Sequence, residues 1–291
     1  MNQAVTTAPA NVRRIEPVLD HVVINVLDKL DEAAAQYARL GFQLTERGHH
    51  SLGSSNNLAI FRENYLELLG YLPGREQKRK DLWQHPAGLT GLVFKSIDPD
   101  VVHASMQSRG VPVEAPLQFG RPVALPEGTR DARFAVVRIA GDAVQNGRTF
   151  FCHHYTPDLV YRSEWQAHPN GVITVTDFVI AAKEPARTAA LYERMFGPGL
   201  LQPVEGGVAF RAGPAAISIL IPAAIAVRYA DAAPKSADGS DRMVALGFQV
   251  RALGATRAVL DRAAIATRVL PGGGIVVPYQ DAANVALAFR E

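Results

Sequence analysis

The chain has 291 residues, 48% of them hydrophobic and 20% charged, with a formal charge of +2, enough apolar material for one large domain or two ordinary ones. Lys and Arg are scattered rather than massed on one face, which leaves no electrostatic footprint for nucleic acid, and no run of about 18 apolar residues is present to span a bilayer. The one cysteine, Cys152, excludes an internal disulfide framework and suits a reducing, cytoplasmic setting.

Residues 1–16 lack a signal-peptide pattern and are expected to be a polar, mobile tail. LDHVVINV, from Leu19, then reads as a buried strand. LDEAAAQYARLG follows with apolar residues at Leu30, Ala33, Ala34, Tyr37 and Leu40, helical spacing closed by Gly41. Three extended pieces come next, FQLTERGHHSL, NLAIFR and NYLELLGYL, parted by the turn formers GSSNN and EN. The unit is βαβββ. The basic run REQKRK after it reads as a solvated loop face.

The same order returns in TGLVFKSI, the helix VVHASMQSRG, VPVEAPLQF, ARFAVVRIA and GRTFFCHHY. A third copy starts at VITVTDFVIA and a fourth at MVALGFQVRAL. First strands near residues 20, 90, 174 and 242 repeat at a period of about 70–85 residues, and repetition on this scale fixes architecture. Each unit buries one sheet face under its helix and leaves the other for a partner. An α+β fold is therefore expected, its four modules paired into two curved, barrel-like mixed sheets. The implied boundaries are an N-terminal domain over 17–160, a linker over 161–173 and a C-terminal domain over 174–291.

Strand alternation decides which side chains converge. His21, Val23 and Asn25 share one face of their strand; Tyr65, Glu67 and Leu69 share one face of YLELLG. A lone carboxylate in an apolar strand is costly to bury unless paired or metal-bound, and His21 is the candidate partner for Glu67. FFCHHY offers His153 and His154, of which alternation lets one face the cleft. His154 is preferred because it falls in line with Phe150 and Cys152; the bland alternative is a partly exposed strand end. His21, Glu67 and one of these histidines make two imidazoles and a carboxylate, a set that suits Fe(II) and that Mn(II) or another divalent ion accepts.

RGHHSLGSSNN supplies Arg47, His49, His50, Asn56 and Asn57. Arg47 and Asn57, with His153, are candidate substrate contacts, and His50, as general base, and Glu67 are the candidate catalytic residues, against the alternative of a polar hairpin end. His168 and Trp165, in the linker, could close over the cleft, or Trp165 could pack the two halves together. The second half is poor in chemistry: Phe178 stands where His21 stands in the first, and the glycines at 272–274 precede a strand rather than a helix, so they read as a turn. Its expected role is scaffold or homodimer surface.

DHVVI, RGHHSLG, YLELLG and HHYTPDLVYRSEWQAHPNG, with the repeat pattern, resemble the vicinal oxygen chelate superfamily of glyoxalases, extradiol dioxygenases, methylmalonyl-CoA epimerases and bleomycin-type resistance proteins. More narrowly they resemble its glyoxalase-like-domain branch. The resemblance implies a divalent ion, Fe(II), Mn(II), Zn(II) or Ni(II), held by first- and fourth-strand side chains of two paired modules. His21 and Glu67 occupy those places in the first module; in the second, the first-strand place is Gly91, which cannot ligate, and the fourth strand offers His153 and His154. That departs from the glyoxalase pattern of two His and two Glu. The implied activity is metal-dependent lyase, isomerase or dioxygenase chemistry on a small oxygenated molecule. The alternative is a non-catalytic protein that sequesters a small molecule.

Overall fold

The computed structural model describes residues 15–291; the expected tail over 1–16 lies outside them apart from its last two residues. The first module consists of β1 (Leu19–Leu27), α1 (Leu30–Arg39), β2 (Gly48–His49), β3 (Ser55–Ile60) and β4 (Tyr65–Gly70), followed by a one-turn α2 (Lys80–Trp83). The second is β5 (Gly88–Lys95), α3 (Pro99–Ser108), β6 (Leu117–Leu125), β7 (Gly128–Arg138) and β8 (Arg148–His154). The third is β9 (Val172–Ala181), α4 (Pro185–Phe196), β10 (Gln202–Val204), β11 (Gly207–Ala212) and β12 (Ala215–Leu220), with α5 (Pro222–Tyr229) after it. The fourth is β13 (Arg242–Val250), α6 (Leu253–Arg262), β14 (Arg268–Val269), β15 (Ile275–Val277) and β16 (Ala286–Arg290).

Two sheets result, with strand orders β2-β3-β4-β1-β5-β8-β7-β6 and β10-β11-β12-β9-β13-β16-β15-β14. In the first, β1 runs parallel to β4 and antiparallel to β5, and β5 runs parallel to β8. Its far edges approach each other where the Ser51 N–H donates to the Gly120 carbonyl at 3.0 Å, so the sheet is nearly a barrel. The second sheet repeats this plan around β9 and β13.

Alternation sorts the side chains into two cores. Val22, Ile24 and Phe94 point outward to the helices, and that layer is continuous between the sheets: Phe94 meets Phe196 of α4 at 4.9 Å, and Phe42 meets Phe248 of β13 at 5.5 Å. Removing a buried ring of this kind costs about 3–5 kcal/mol, so each half stabilises the other. Val23, Leu58, Tyr65, Val136 and Phe150 point inward and line the first barrel.

Two elements depart from the sequence pattern for local reasons. FQLTERGHHSL yields only the two-residue β2: ahead of it Thr45 N donates to the Leu58 carbonyl at 2.8 Å, while side-chain bonds, the Thr45 hydroxyl accepting from Leu58 N at 3.1 Å and its carbonyl accepting from Asn57 Nδ2 at 3.0 Å, take the place of a longer ladder. The helix α5 follows β12 directly, started by Pro222 at its first turn. No helix of the described residues is long and apolar enough to cross a membrane.

Candidate functional site

The parallel register of β1 and β4 sets His21 beside Tyr65 and Val23 beside Glu67. The His21 and Tyr65 rings stack at 4.4 Å, and the Glu67 Oε2 lies 3.8 Å from His21 Nε2. On the other side of β1 the pairing steps from Leu19–Phe94 to His21–Val93, which leaves Asp20 as an extra residue. A bulge of this kind re-aims a side chain. The Asp20 carboxylate consequently meets both His21 and the barrel interior: Oδ2 lies 2.6 Å from His21 Nδ1 and 3.0 Å from His154 Nε2, and Tyr161 donates to Oδ1 at 3.1 Å. Burial alone would raise the carboxyl pKa, but the charge and hydrogen bond of His154 and then those of His21 outweigh it, holding Asp20 well below the usual carboxylate range.

Glu67 is gripped by three neighbours. Asn56 Nδ2 donates to Oε1 at 2.6 Å, His21 Nε2 faces Oε2, and His50 Nε2 faces Oε1, also at 3.8 Å. His50 Nδ1 lies 2.9 Å from the Ser54 hydroxyl. Burial lowers the His50 pKa to about 4 even though Glu67 pulls the other way, so the ring is neutral at physiological pH. The three groups border a cavity of about 50 Å³ walled by Tyr65, Phe134 and Phe150.

The expected site residues divide. His21 and Glu67 are brought together, with His50 added at the carboxylate. His154 lies on the interior face with Phe150 and Cys152, yet its Nε2 goes to Asp20 rather than Glu67, and its Nδ1 is buried without a partner. His153 takes the opposite face, with Nδ1 2.9 Å from the Ser96 carbonyl. Arg47 and Asn57 are spent on structure: Arg47 Nη1 donates to Asp31 at 2.7 Å, and its Nε and Nη2 donate to Asn57 Oδ1 at 3.1 Å each. His168 is buried away from the cavity as a latch: its Nδ1 accepts from Gln43 N at 3.0 Å, and its Nε2 donates to the Ile60 carbonyl at 2.8 Å. Trp165 packs half-buried on the inner apolar cluster, 5.7 Å from the Arg162 guanidinium.

Asp20, Arg121 and Tyr161 lie outside the expected set, and Asn56 stands in it without a role. Arg121 had a legible signal: LQFGRPV puts it in line with Phe119 and Val123, a cation in an apolar stripe. Asp20 had none, because alternation points it away from His21.

The second module cannot mirror the first. Gly91 pairs with Val23, and a Cβ there would lie 2.5 Å from the Val23 Cβ. The β5–β8 register sets Phe150 beside Val93, the place Glu67 holds beside Val23. Among the described residues, Asp20, His21 and Cys152 form a group whose ligand atoms lie within 4.8 Å of one another. Asp20 in this group already has three hydrogen-bonding partners, and burial pushes the Cys152 thiol well above its ordinary pKa. His21 and His50 also each set an Nε2 atom 3.8 Å from an oxygen of Glu67.

No curated protein matches the chain. Solved structures share its fold: a hypothetical protein from Staphylococcus aureus, 13% identical, with a TM-score of 0.64 over 94% of this chain and 98% of that one. A variant of 4-hydroxymandelate synthase from Streptomyces coelicolor is 13% identical, with a TM-score of 0.57 over 94% and 92%. A variant of homoprotocatechuate 2,3-dioxygenase from B. fuscum, in complex with HPCA, is 12% identical, with a TM-score of 0.52 over 97% and 73%. At such identities the likeness is one of fold. A glyoxalase-like domain model matches residues 19–196, from the first residue of β1 to the last of α4. With the paired βαβββ modules and these fold neighbours, that match places the chain in the glyoxalase-like domain family of the vicinal oxygen chelate superfamily.

Proposed function

We propose that the first barrel is a metal-dependent enzyme site for a small oxygenated molecule, with His21, His50 and Glu67 holding a divalent ion. One observation carries this reading: two imidazole Nε2 atoms face the two oxygens of one buried carboxylate, each at 3.8 Å, too far to share a proton. Both Nδ1 atoms are engaged, on Asp20 and Ser54, so both Nε2 lone pairs lie on the Glu67 side; Asn56 Nδ2 donates to that of His50 at 3.2 Å, and that of His21 faces Glu67 Oε2. Between His21 Nε2 and Glu67 Oε2 no donor intervenes, and two acceptors so placed repel each other unless a cation lies between them. Two imidazoles and a carboxylate suit Fe(II), and imidazole also accepts Mn(II), Zn(II) or Ni(II).

A divalent ion held there would supply Lewis acidity toward a carbonyl, an enolate or a pair of vicinal oxygens. The chain's own groups do the rest. Asp20 orients His21, Asn56 fixes Glu67, and Tyr65, Phe134 and Phe150 exclude water, which strengthens every charge interaction inside. Fold neighbours named for synthase and dioxygenase activities support an enzyme, of lyase, isomerase or dioxygenase type. The second barrel serves as scaffold. The buried, free Cys152 fits a cytoplasmic setting.

Sequestration without turnover is the second reading, favoured by Gly91 and Phe150 at the ligand places of the second module. Elemental analysis of protein purified without chelators tests the first. A stoichiometric ion retained by the wild type and absent from Glu67→Gln and His50→Ala supports it, and a metal-free wild type that takes up none of the four ions removes it.

A further inference from the structure

We infer that the ligand of the first barrel is a small monocarboxylate with a ring-sized apolar body, its carboxylate seated on Arg121. This rests on the barrel being the binding site, as proposed above, but not on the ion. Arg121 lies in β6 and is only 5% exposed. Its Nη2 is sealed from solvent without a hydrogen-bond partner, and among the described residues no carboxylate oxygen comes within ion-pair distance of the guanidinium. A buried cation with no partner is costly, and proteins keep one where a ligand supplies the anion. Glu67 acts on it only through space, its oxygens being occupied by Asn56 and faced by the two histidines.

The surroundings are shaped for an incoming group. Gly48 stands opposite, and a Cβ there would come within 3.1 Å of Arg121 Nη1, so the backbone is bare where the guanidinium needs room. Arg121, Phe119 and Phe134 line the inner cavity of about 50 Å³ and also an outer groove of about 570 Å³. The cavity holds little more than a water or the reacting end of a ligand, whereas the groove is of the size that takes a small-molecule body. Phe119 and Phe134 stack at 5.3 Å and offer the groove a flat apolar wall. Charges at its outer part, Asp131 and Arg133, are of opposite sign, which leaves Arg121 as the buried anion receptor. A guanidinium fork grips a carboxylate through two parallel hydrogen bonds. An anion so held sets its neighbouring atoms toward Glu67.

The test uses benzoate, salicylate and phenylglyoxylate, with benzamide as the neutral counterpart and inorganic phosphate as a competing anion. Binding is followed by ligand-observed NMR and thermal shift, in chelator-treated protein and again with Mn(II). The wild type is expected to bind at least one carboxylate in both preparations and to ignore benzamide. Arg121→Met should weaken that binding at least tenfold, retain Mn(II), and melt no lower than the wild type, having lost an uncompensated charge; Arg121→Lys should recover part of the affinity. Failure of all three carboxylates to bind, equal binding of benzamide, displacement by phosphate at equal concentration, or undiminished binding to Arg121→Met would each overturn the inference. Carboxylate binding without Mn(II) uptake would instead sink the metal reading and leave this one standing.

Discussion

His21 and Glu67 face each other across two parallel strands with Nε2 3.8 Å from Oε2, and the second oxygen of Glu67 stands at the same distance from His50. The separation is too wide for a hydrogen bond and suits two donors sharing a cation. If the arrangement is a metal centre, a divalent ion at a hundredfold excess over its dissociation constant stabilises the protein by about 2.7 kcal/mol. Thermal unfolding of the wild type should then shift upward by several degrees with Mn(II) or Fe(II), and that of His21→Ala or Glu67→Gln should not move.

Asp20 should matter through His21 rather than by touching the ion. Its carboxylate holds the Nδ1 side of the ring at 2.6 Å, and losing such an outer partner lowers metal affinity by about 10–100-fold. Asp20→Asn is therefore expected to bind metal in that weakened range while keeping the stoichiometry of the wild type. Isothermal titration separates the two quantities.

Gly91 and Val23 are matched in shape. A methyl at Gly91 would press into the Val23 side chain at 2.5 and 2.6 Å, and overpacking of this sort costs about 1–3 kcal/mol. Gly91→Ala should lower the urea midpoint, and adding Val23→Ala should restore part of the loss. An additive double mutant would show that the two positions do not share the space.

His168 gives the fold a pH dependence. Burial lowers its pKa, the bond to the Ile60 carbonyl only partly opposing this, and Nδ1 must stay unprotonated to accept from Gln43. Below pH about 6.5 the unfolded chain takes up a proton that the folded ring refuses. Stability conferred by this residue is thus present above that pH and declines as the pH falls through it. Urea unfolding at pH 7.5 and 5.5 should show a larger drop for the wild type than for His168→Gln.

What the sequence revealed follows from periodicity. Strand alternation and helical spacing repeat four times, so the paired modules are legible, and alternation alone sets His21 and Glu67 on inward faces. Features that break the period were hidden. The bulge at Asp20 turns a residue that alternation sends outward into the partner of His21. His50 reaches Glu67 from just past the two-residue β2, outside any strand, where alternation does not place it. Arg47 and His168 carry the chemistry of a binding site, but their partners, Asp31, Asn57, Gln43 and Ile60, are fixed by tertiary packing that no local pattern records.

The metal centre is tested most directly by anomalous diffraction at the manganese edge from crystals grown with Mn(II). The account predicts one interior peak, bounded by His21 Nε2, His50 Nε2 and the Glu67 carboxylate. An empty interior, or a peak on the Asp20, His21 and Cys152 group instead, would contradict it.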